Sequence, residues 1–354
     1  MKTFDRKIKH IPAKVGYHMP AEWEKHEATW LAWPHNIETW PTQLSEVEKI
    51  YIQMVRVLAK GEKVHILVDD LREEERAKNQ LSKDHVEMSQ VFFFRIPTAD
   101  VWIRDYGPNF IVKNDPLKSE PAFNRWIFNA WGERYESLKA DHAVPDRLLE
   151  FLDIPFFEPG IILEGGSIDA NGEGTVLTTE QCLLNPNRNP HLKKQDIEGY
   201  LKDFLGVTHV IWLGEGIVGD DTDGHVDDIA RFIASDTILC AVEEDKKDAN
   251  YSFLQDNLKR LEKATDQSGR QLKIIELPMP GKVDCADGRL PASYANFYIG
   301  NSAVLVPLYN HPNDSTALEI LGSCFPTRQI VGIPCGPLVC GLGAIHCVTQ
   351  QQPA

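Results

Sequence analysis

The sequence predicts an α/β fold built from five similar strand–helix–strand units. Apolar strand-like runs alternate with amphipathic helical stretches along the whole chain. The runs that open the units begin near residues 28, 108, 174, 236 and 302. Between units the chain turns through loops rich in glycine, proline, aspartate and asparagine, where α/β folds carry their sites. Five such units are able to close into a ring, although an open doubly wound sheet produces the same alternation without symmetry.

In the first unit, ATWLAW reads as a buried strand. QLSEVEKIYIQMVRVLAKG then carries Leu44, Val47, Tyr51, Met54, Val55 and Leu58 at helical spacing and stops at Gly61, and KVHILV returns as a strand. The charge run DDLREEER that follows reads as a solvated helix start. The second unit runs from PNFIV through a helical ADHAVPDRLLEFL to IPFF, and the third from GTVLTT through HLKKQDIEGYLKDFLG to THVIWL. The fourth is DTILCAV, YSFLQDNLKRLEKATDQSG and LKIIEL; the fifth is SAVLVPLY, DSTALEILGSCF and RQIVGIP. The spacing of about 60 to 80 residues exceeds that of solenoid repeats and leaves room for extra strands in each unit. No low-complexity tract or long linker separates the units, so residues 1–354 are expected to form a single domain.

Composition narrows the function. With 42% hydrophobic residues and no apolar run near membrane-spanning length, the chain reads as soluble, and its N-terminus lacks the apolar core of a secretory signal, so a cytoplasmic location is expected. A net charge of −15 argues against nucleic acid and mildly favours a small cationic substrate. The 7 cysteines are scattered without a CxxC pair, which suits reduced thiols better than a disulfide framework or a thiolate zinc site.

Four stretches combine glycine with ionisable or nucleophilic groups beyond what core packing requires: VWIRDYGPN, ILEGGSID, GDDTDGHVDDIARF and the terminal CGLGAIHCVTQQQPA. In the third, His225 and Asp227 stand two apart at the entrance to an apolar run, so on a strand both side chains leave the same face. Asp220, Asp221 and Asp223 precede them between Gly219 and Gly224, and carboxylates this crowded repel one another unless a cation sits among them. A metal ion or an organic cation answers that need, but HExxH spacing, a DxDxDG loop and a second nearby histidine are missing for a metal. The structural alternative is an acidic turn beside a surface histidine. Asp105, between Arg104 and the Gly107–Pro108 turn, also fits a purely structural ion pair. Glu164 ends an apolar run before two glycines that by themselves suggest a tight turn.

Cys347 needs a cationic neighbour to ionise and a histidine to move protons. His225 is the candidate partner; His346, adjacent on an extended strand, would face away. A papain-like hydrolase or acyl transferase would use the same pair but leaves the surplus carboxylates unexplained. A guanidinium substrate explains them, because it is planar, permanently charged and best held by paired carboxylates.

Together with MPAEWEKHEATWLAWP, CLLNPNRNPH, ASYANFYIG and the terminal IHCVTQQ, these stretches resemble the agmatine deiminase group of the Porphyromonas-type peptidylarginine deiminase family over nearly the whole chain. The resemblance implies a five-bladed α/β propeller of pseudo-symmetric ββαβ units, the pentein or guanidine-modifying fold. It also implies hydrolysis of agmatine to N-carbamoylputrescine and ammonia through a covalent amidino-cysteine, without metal or organic cofactor, and a homodimer. On the matching positions it makes Cys347 the nucleophile, His225 the general acid and base, Asp105 and Asp227 the guanidinium clamp, and Glu164 the residue that orients His225. Asp221 would receive the far amino group, with Trp102 beside the alkyl chain. Tyr106, Asp223, Cys340 and Ala344 depart from the family pattern; Tyr106 and Asp223 are expected near the mouth that reads the substrate's tail.

The rival activities are deimination of peptidyl or free arginine, a papain-like protease or transglutaminase, a metal-dependent hydrolase, and a silent binder of cationic metabolites. Trimming the chain before Cys347 is expected to abolish activity, whereas loss of Pro353 and Ala354 is expected to be tolerated.

Overall fold

The helices follow the apolar spacing. Leu44–Leu58 buries Val47, Tyr51, Met54, Val55 and Leu58. Leu71–Lys83 is largely polar and is held at its start by Asp70, whose side chain accepts from the Glu73 N–H at 2.9 Å while Glu73 returns to the Asp69 N–H at 2.8 Å. Lys194–Leu205 ends at Gly206 in the left-handed conformation (φ 66°). The computed structural model describes residues 6–114, 119–285 and 288–354. No helix among the described residues is long and apolar enough to cross a membrane.

The architecture is mixed α/β, with five sheets of three or four strands and one two-stranded hairpin among the described residues, none closed on itself. The five larger sheets share one arrangement: an antiparallel pair, then a helical crossover to a third strand parallel to the second. Asp169–Ala170 pairs antiparallel with Thr175–Thr179, which pairs parallel with His209–Leu213. Ala230–Ala234, Thr237–Val242 and Lys273–Pro278 repeat the pattern, as do Tyr298–Ile299, Ala303–Leu308 and Gln329–Pro334. In the N-terminal half, Asn109–Asn114 pairs antiparallel with Ser119–Asn124, which runs parallel to Phe156–Phe157. The remaining sheet is closed by the chain's end: Gln350–Pro353 pairs antiparallel with His26–Ala32, which runs parallel to Lys63–Val68.

The five units read from sequence correspond to the second strand, helix and third strand of four sheets, and to the first and third strands of the sheet around Asn109–Asn114. In the second unit the expected helix is a 3-10 stretch, Glu136–Ala143, passing into the short helix Val144–Leu148, where Pro145 is tolerated because the first turn needs no N–H from it. The first strand of each sheet is preceded, within a few residues, by a polar side chain of the candidate site: Asp105 before Asn109, Glu164 before Asp169, His225 before Ala230, Asn296 before Tyr298 and Cys347 before Gln350.

Candidate active site

The C-terminal tail is fixed by the segment that carries Asp105. The Arg104 N–H donates to the Cys347 carbonyl at 3.2 Å, the Arg104 guanidinium to the His346 carbonyl at 3.3 Å and to Gln351 at 2.8 Å, and the Gln350 amide to the Pro108 carbonyl at 2.8 Å. Cys347 therefore sits in a turn ahead of the last strand, not on it, and the hydrogen bonds of the His346 ring go to carboxylates. Its ring bridges Asp227 (2.7 Å) and Glu22 (2.8 Å), and Arg231 and Arg104 also reach Glu22.

His225 and Asp227 are likewise not on a strand; the 3-10 turn Val226–Asp228 separates them before Ala230–Ala234 begins. They still converge with Asp105, and Gly166 measures how closely. A Cβ placed there would lie 2.6 Å from His225 Nδ1 and 3.0 Å from Asp105 Oδ1 and Asp227 Oδ2. Only a glycine fits, and its N–H donates to Asp105 Oδ1 at 3.0 Å. Asp105 Oδ2 accepts from Trp131 Nε1 at 2.9 Å, and Asp105 Oδ1 lies 3.7 Å from His225 Nδ1.

Glu164 is buried and accepts from Arg188 Nε at 3.0 Å. Among the described residues its other oxygen and His225 Nε2 have no hydrogen-bond partner, and there is no direct Glu164–His225 hydrogen bond. Glu164, Cys182 and His225 place their polar atoms within 4.8 Å of one another, the buried set with metal-ligand residue types, and the positive charge beside Glu164 is supplied by Arg188.

A cavity of about 600 Å³ opens onto this cluster, lined by Trp102, Asp105, Trp131, Tyr135, Asp221 and Cys347 among others. Asp221 accepts from the Tyr135 hydroxyl at 2.5 Å. The lining includes Glu38 and Asp100 but, among the described residues, no lysine, arginine or histidine. One expectation fails here. Tyr106 is buried away from the mouth, its hydroxyl donating to the Asp100 carbonyl at 2.9 Å. Asp223 is neutralised by Arg188, Arg134 and Asn187, so it is not a free carboxylate for a substrate ammonium. Asp220 is structural too, accepting from the N–H groups of Thr222, Gly224 and His225.

The electrostatics follow from burial among carboxylates. Burial, with Asp227 and Glu164 nearby, pushes Asp105 up to about 6 against the pull of His225. Burial alone would lower His225, but Asp105, Cys182 and Asp227 outweigh it and hold the ring well above its ordinary value. Asp227 is buried yet held below the usual carboxylate range by His346, His225 and Arg231. Cys347 is pushed well above its ordinary value by burial and by Asp227, Asp228 and Asp105. The empty cavity thus presents a protonated thiol facing ionisable carboxylates, with an imidazolium behind.

Sequence reasoning missed Glu22, Arg188 and Asn296. All three lie inside stretches already singled out (MPAEWEKHE, NPNRNPH, ASYANFY), but nothing in local spacing marks them. Trp131 and Tyr135 were missed as well; the signal was a glycine among aromatics in FNAWGERYE.

The model of the Porphyromonas-type peptidyl-arginine deiminase family matches residues 18–353. An agmatine deiminase of Medicago truncatula is 38% identical over 377 residues, covering 98% of this chain and 99% of its own, and one of Ectopseudomonas mendocina is 36% identical over 366 residues, covering 97% of each. Among solved structures, the agmatine deiminase of Enterococcus faecalis superposes with a TM-score of 0.90 at 34% identity, covering 98% of both chains. A cysteine-to-serine variant of C. jejuni agmatine deiminase with substrate bound gives 0.85 at 34% identity, covering 96% of both. With the match spanning all the elements that converge on Cys347, this chain belongs to the Porphyromonas-type peptidyl-arginine deiminase family.

Proposed function

We propose that the chain is an agmatine deiminase, converting agmatine and water to N-carbamoylputrescine and ammonia. The observation that carries this reading is the lining of the cavity: Cys347, Asp105 and Asp221 all line it together with aromatic rings, and among the described residues no basic side chain does. A guanidinium suits the carboxylate end and an ammonium suits Asp221. The carboxylate of free arginine would meet acidic or uncharged side chains and, among the described lining residues, no cation. The deiminases of Medicago truncatula, Ectopseudomonas mendocina and Enterococcus faecalis described above support the same substrate.

In this mechanism Asp105 and Asp227 clamp the guanidinium, and Asp227 Oδ1, buried and without a hydrogen-bond partner among the described residues, would accept one of its N–H groups. The bound cation reverses the field that keeps the Cys347 thiol protonated, so substrate binding itself favours the thiolate. Sγ adds to the guanidinium carbon, His225 gives its proton to the departing nitrogen, and the C–N bond breaks to release ammonia and leave an amidino-thioether. Neutral His225 then takes a proton from water, whose oxygen attacks the same carbon. The C–S bond breaks, the ureido product departs and the thiol is restored. Glu164, anchored by Arg188, sets the orientation of His225.

The same reading takes residues 1–354 as one catalytic domain, a five-bladed α/β propeller with its five larger sheets set around the site. The repeated position of Asp105, Glu164, His225, Asn296 and Cys347 supports it, as does the completion of the first sheet by the last strand. A reducing, cytoplasmic setting suits a thiol nucleophile.

The test is turnover of agmatine, free arginine and a peptide ending in arginine, each with a chelator, following ammonia and ureido product. Agmatine is expected to exceed arginine in kcat/KM by at least about 100-fold, because arginine leaves a carboxylate facing Asp221. Comparable arginine turnover, or loss of activity with the chelator, overturns the reading.

A further inference from the structure

His346 stands next to the nucleophile and takes no part in the steps above, yet both of its ring nitrogens are committed. Nδ1 lies 2.7 Å from Asp227 Oδ2, and Nε2 lies 2.8 Å from Glu22 Oε2. The ring is buried, and so are both carboxylates. Glu22 is itself a junction. Its Oε1 accepts the Ile299 N–H at 2.8 Å, and its Oε2 has Arg231 Nη2 at 2.8 Å and Arg104 Nη2 at 3.5 Å. These partners come from the sheet of Tyr298–Ile299, the strand Ala230–Ala234 and the segment that carries Asp105.

An ionised carboxylate only accepts, so each of these contacts needs a hydrogen on the ring nitrogen. Glu22 stays ionised: burial opposes this, but Arg231, His346 and Arg104 outweigh it and hold the carboxyl well below its ordinary range. Facing one carboxylate at each end, the His346 ring donates from both nitrogens and carries a positive charge. Asp227 gains twice from it. Oδ2 is pinned, which fixes the plane of the carboxylate, and the charge offsets burial. The other groups that favour an ionised Asp227 are His225 and Arg231, while Asp105, Asp228 and the Cys347 thiol lie close enough to be pushed up by its charge. Among the described residues, the His346 ring is the one hydrogen-bond partner of the Asp227 carboxylate.

We propose that His346 is a positioning residue of the deimination: hydrogen-bonded at both ring nitrogens, it ties the Asp227 carboxylate to Glu22 and leaves Asp227 Oδ1 to receive a guanidinium N–H. The assignment rests on the reading above, in which Asp227 is one half of the guanidinium clamp. The same residue sets the spacing between nucleophile and clamp. Its backbone runs directly into Cys347, its N–H donates to Asn296 Oδ1 at 2.9 Å and its carbonyl accepts from Arg104 at 3.3 Å, while its side chain holds Asp227. Glu22 keeps Arg231 and Arg104 when His346 is changed, so no uncompensated buried charge is left at that end.

The test compares His346→Asn with His346→Gln. The Asn amide nitrogen takes the place of Nδ1 and keeps the bond to Asp227; that of Gln takes the place of Nε2 and keeps only the bond to Glu22. A merely structural role would make the two variants alike, since each loses one bond of the same kind. Positioning predicts a split: kcat/KM for agmatine should fall on the order of 10- to 100-fold in His346→Gln, mostly through KM, and clearly less in His346→Asn. The acid limb of kcat/KM should move to higher pH, further in His346→Gln, because there Asp227 loses the donor as well as the charge. A second readout needs no turnover: protection of Cys347 against iodoacetamide by methylguanidine, which carries the guanidinium without a tail. The concentration for half protection should rise at least about tenfold in His346→Gln. A folded His346→Gln with wild-type protection and an unmoved limb overturns the proposal, as does equal loss in both variants. Should His346→Gln not fold, Glu22→Gln replaces it by removing the far carboxylate that keeps both ring nitrogens protonated; the acid limb should again move up, and an unmoved limb overturns the proposal. If the wild-type chain leaves agmatine untouched while methylguanidine protects it and His346→Gln loses that protection, the substrate reading falls and the positioning role stands. No protection in the wild type overturns both.

Discussion

In the proposed mechanism Asp105 sets the acid side of the reaction. Its carboxylate must be ionised to hold a guanidinium, and burial places its midpoint at about 6. The kcat/KM of the wild-type chain should therefore fall as pH drops through about 6, since that parameter reports the free enzyme. The Trp131 N–H favours the ionised form, so Trp131→Phe, which keeps the ring but removes the donor, should shift this limb to higher pH. An unmoved limb in Trp131→Phe would mean that another group controls it. Cys347, His225, Asp105 and Asp227 could be singled out in the sequence because thiols, imidazoles and carboxylates are distinctive residue types. Asn296, which touches Cys347 Sγ, could not, since an amide carries no charge to explain. The surroundings of Tyr106 and Asp223 were not legible for a related reason. Whether a carboxylate faces substrate or a buried arginine depends on Arg188, which lies 35 residues away in the chain from Asp223.

At the scale of elements, the site is built from turns. Gly166 lies in the 3-10 turn Gly165–Ser167, where a side chain would strike His225, Asp105 and Asp227 at once. Gly166→Ala should therefore remove nearly all turnover by displacing those groups, while destabilising the fold by only about 1–3 kcal/mol, as overpacking of a buried position does. A variant with wild-type kcat would show that the three groups do not need their present spacing. The loop opposite is strained. Ala130, Trp131, Gly132 and Glu133 are all left-handed, and the Asn129 side chain holds the turn through the Gly132 N–H at 2.8 Å. Long strands and helices were legible because their apolar period persists over several turns. Two of the first strands were not: Asp169–Ala170 and Tyr298–Ile299 are 2 residues each, too short to show alternation, and the turn at His225 resembles a strand entrance because a real strand begins at Ala230.

Over the whole molecule, the end of the chain serves the beginning. Gln350–Pro353 is buried against His26–Ala32, and the Ala354 N–H donates to the Lys25 carbonyl at 2.9 Å. The last two residues are thus tied down, Pro353 in the ladder and Ala354 by that bond. Deleting residues 350–354 should lower the melting temperature by several degrees, since a one kcal/mol loss costs a chain of this size roughly 1–2 °C and a whole strand ladder is removed. It should also abolish turnover, because Gln350 and Gln351 hold the segment bearing Asp105. A truncated chain that melts and turns over like the intact one would break the link between tail and site. The central claim is that Cys347 carries the amidino group between the two halves of the reaction. Acid quenching during turnover of agmatine, followed by peptide mapping, tests it most directly: the account predicts an adduct of agmatine less ammonia on the peptide containing Cys347, absent in Cys347→Ser together with all turnover. Agmatine turnover that persists in Cys347→Ser would contradict it.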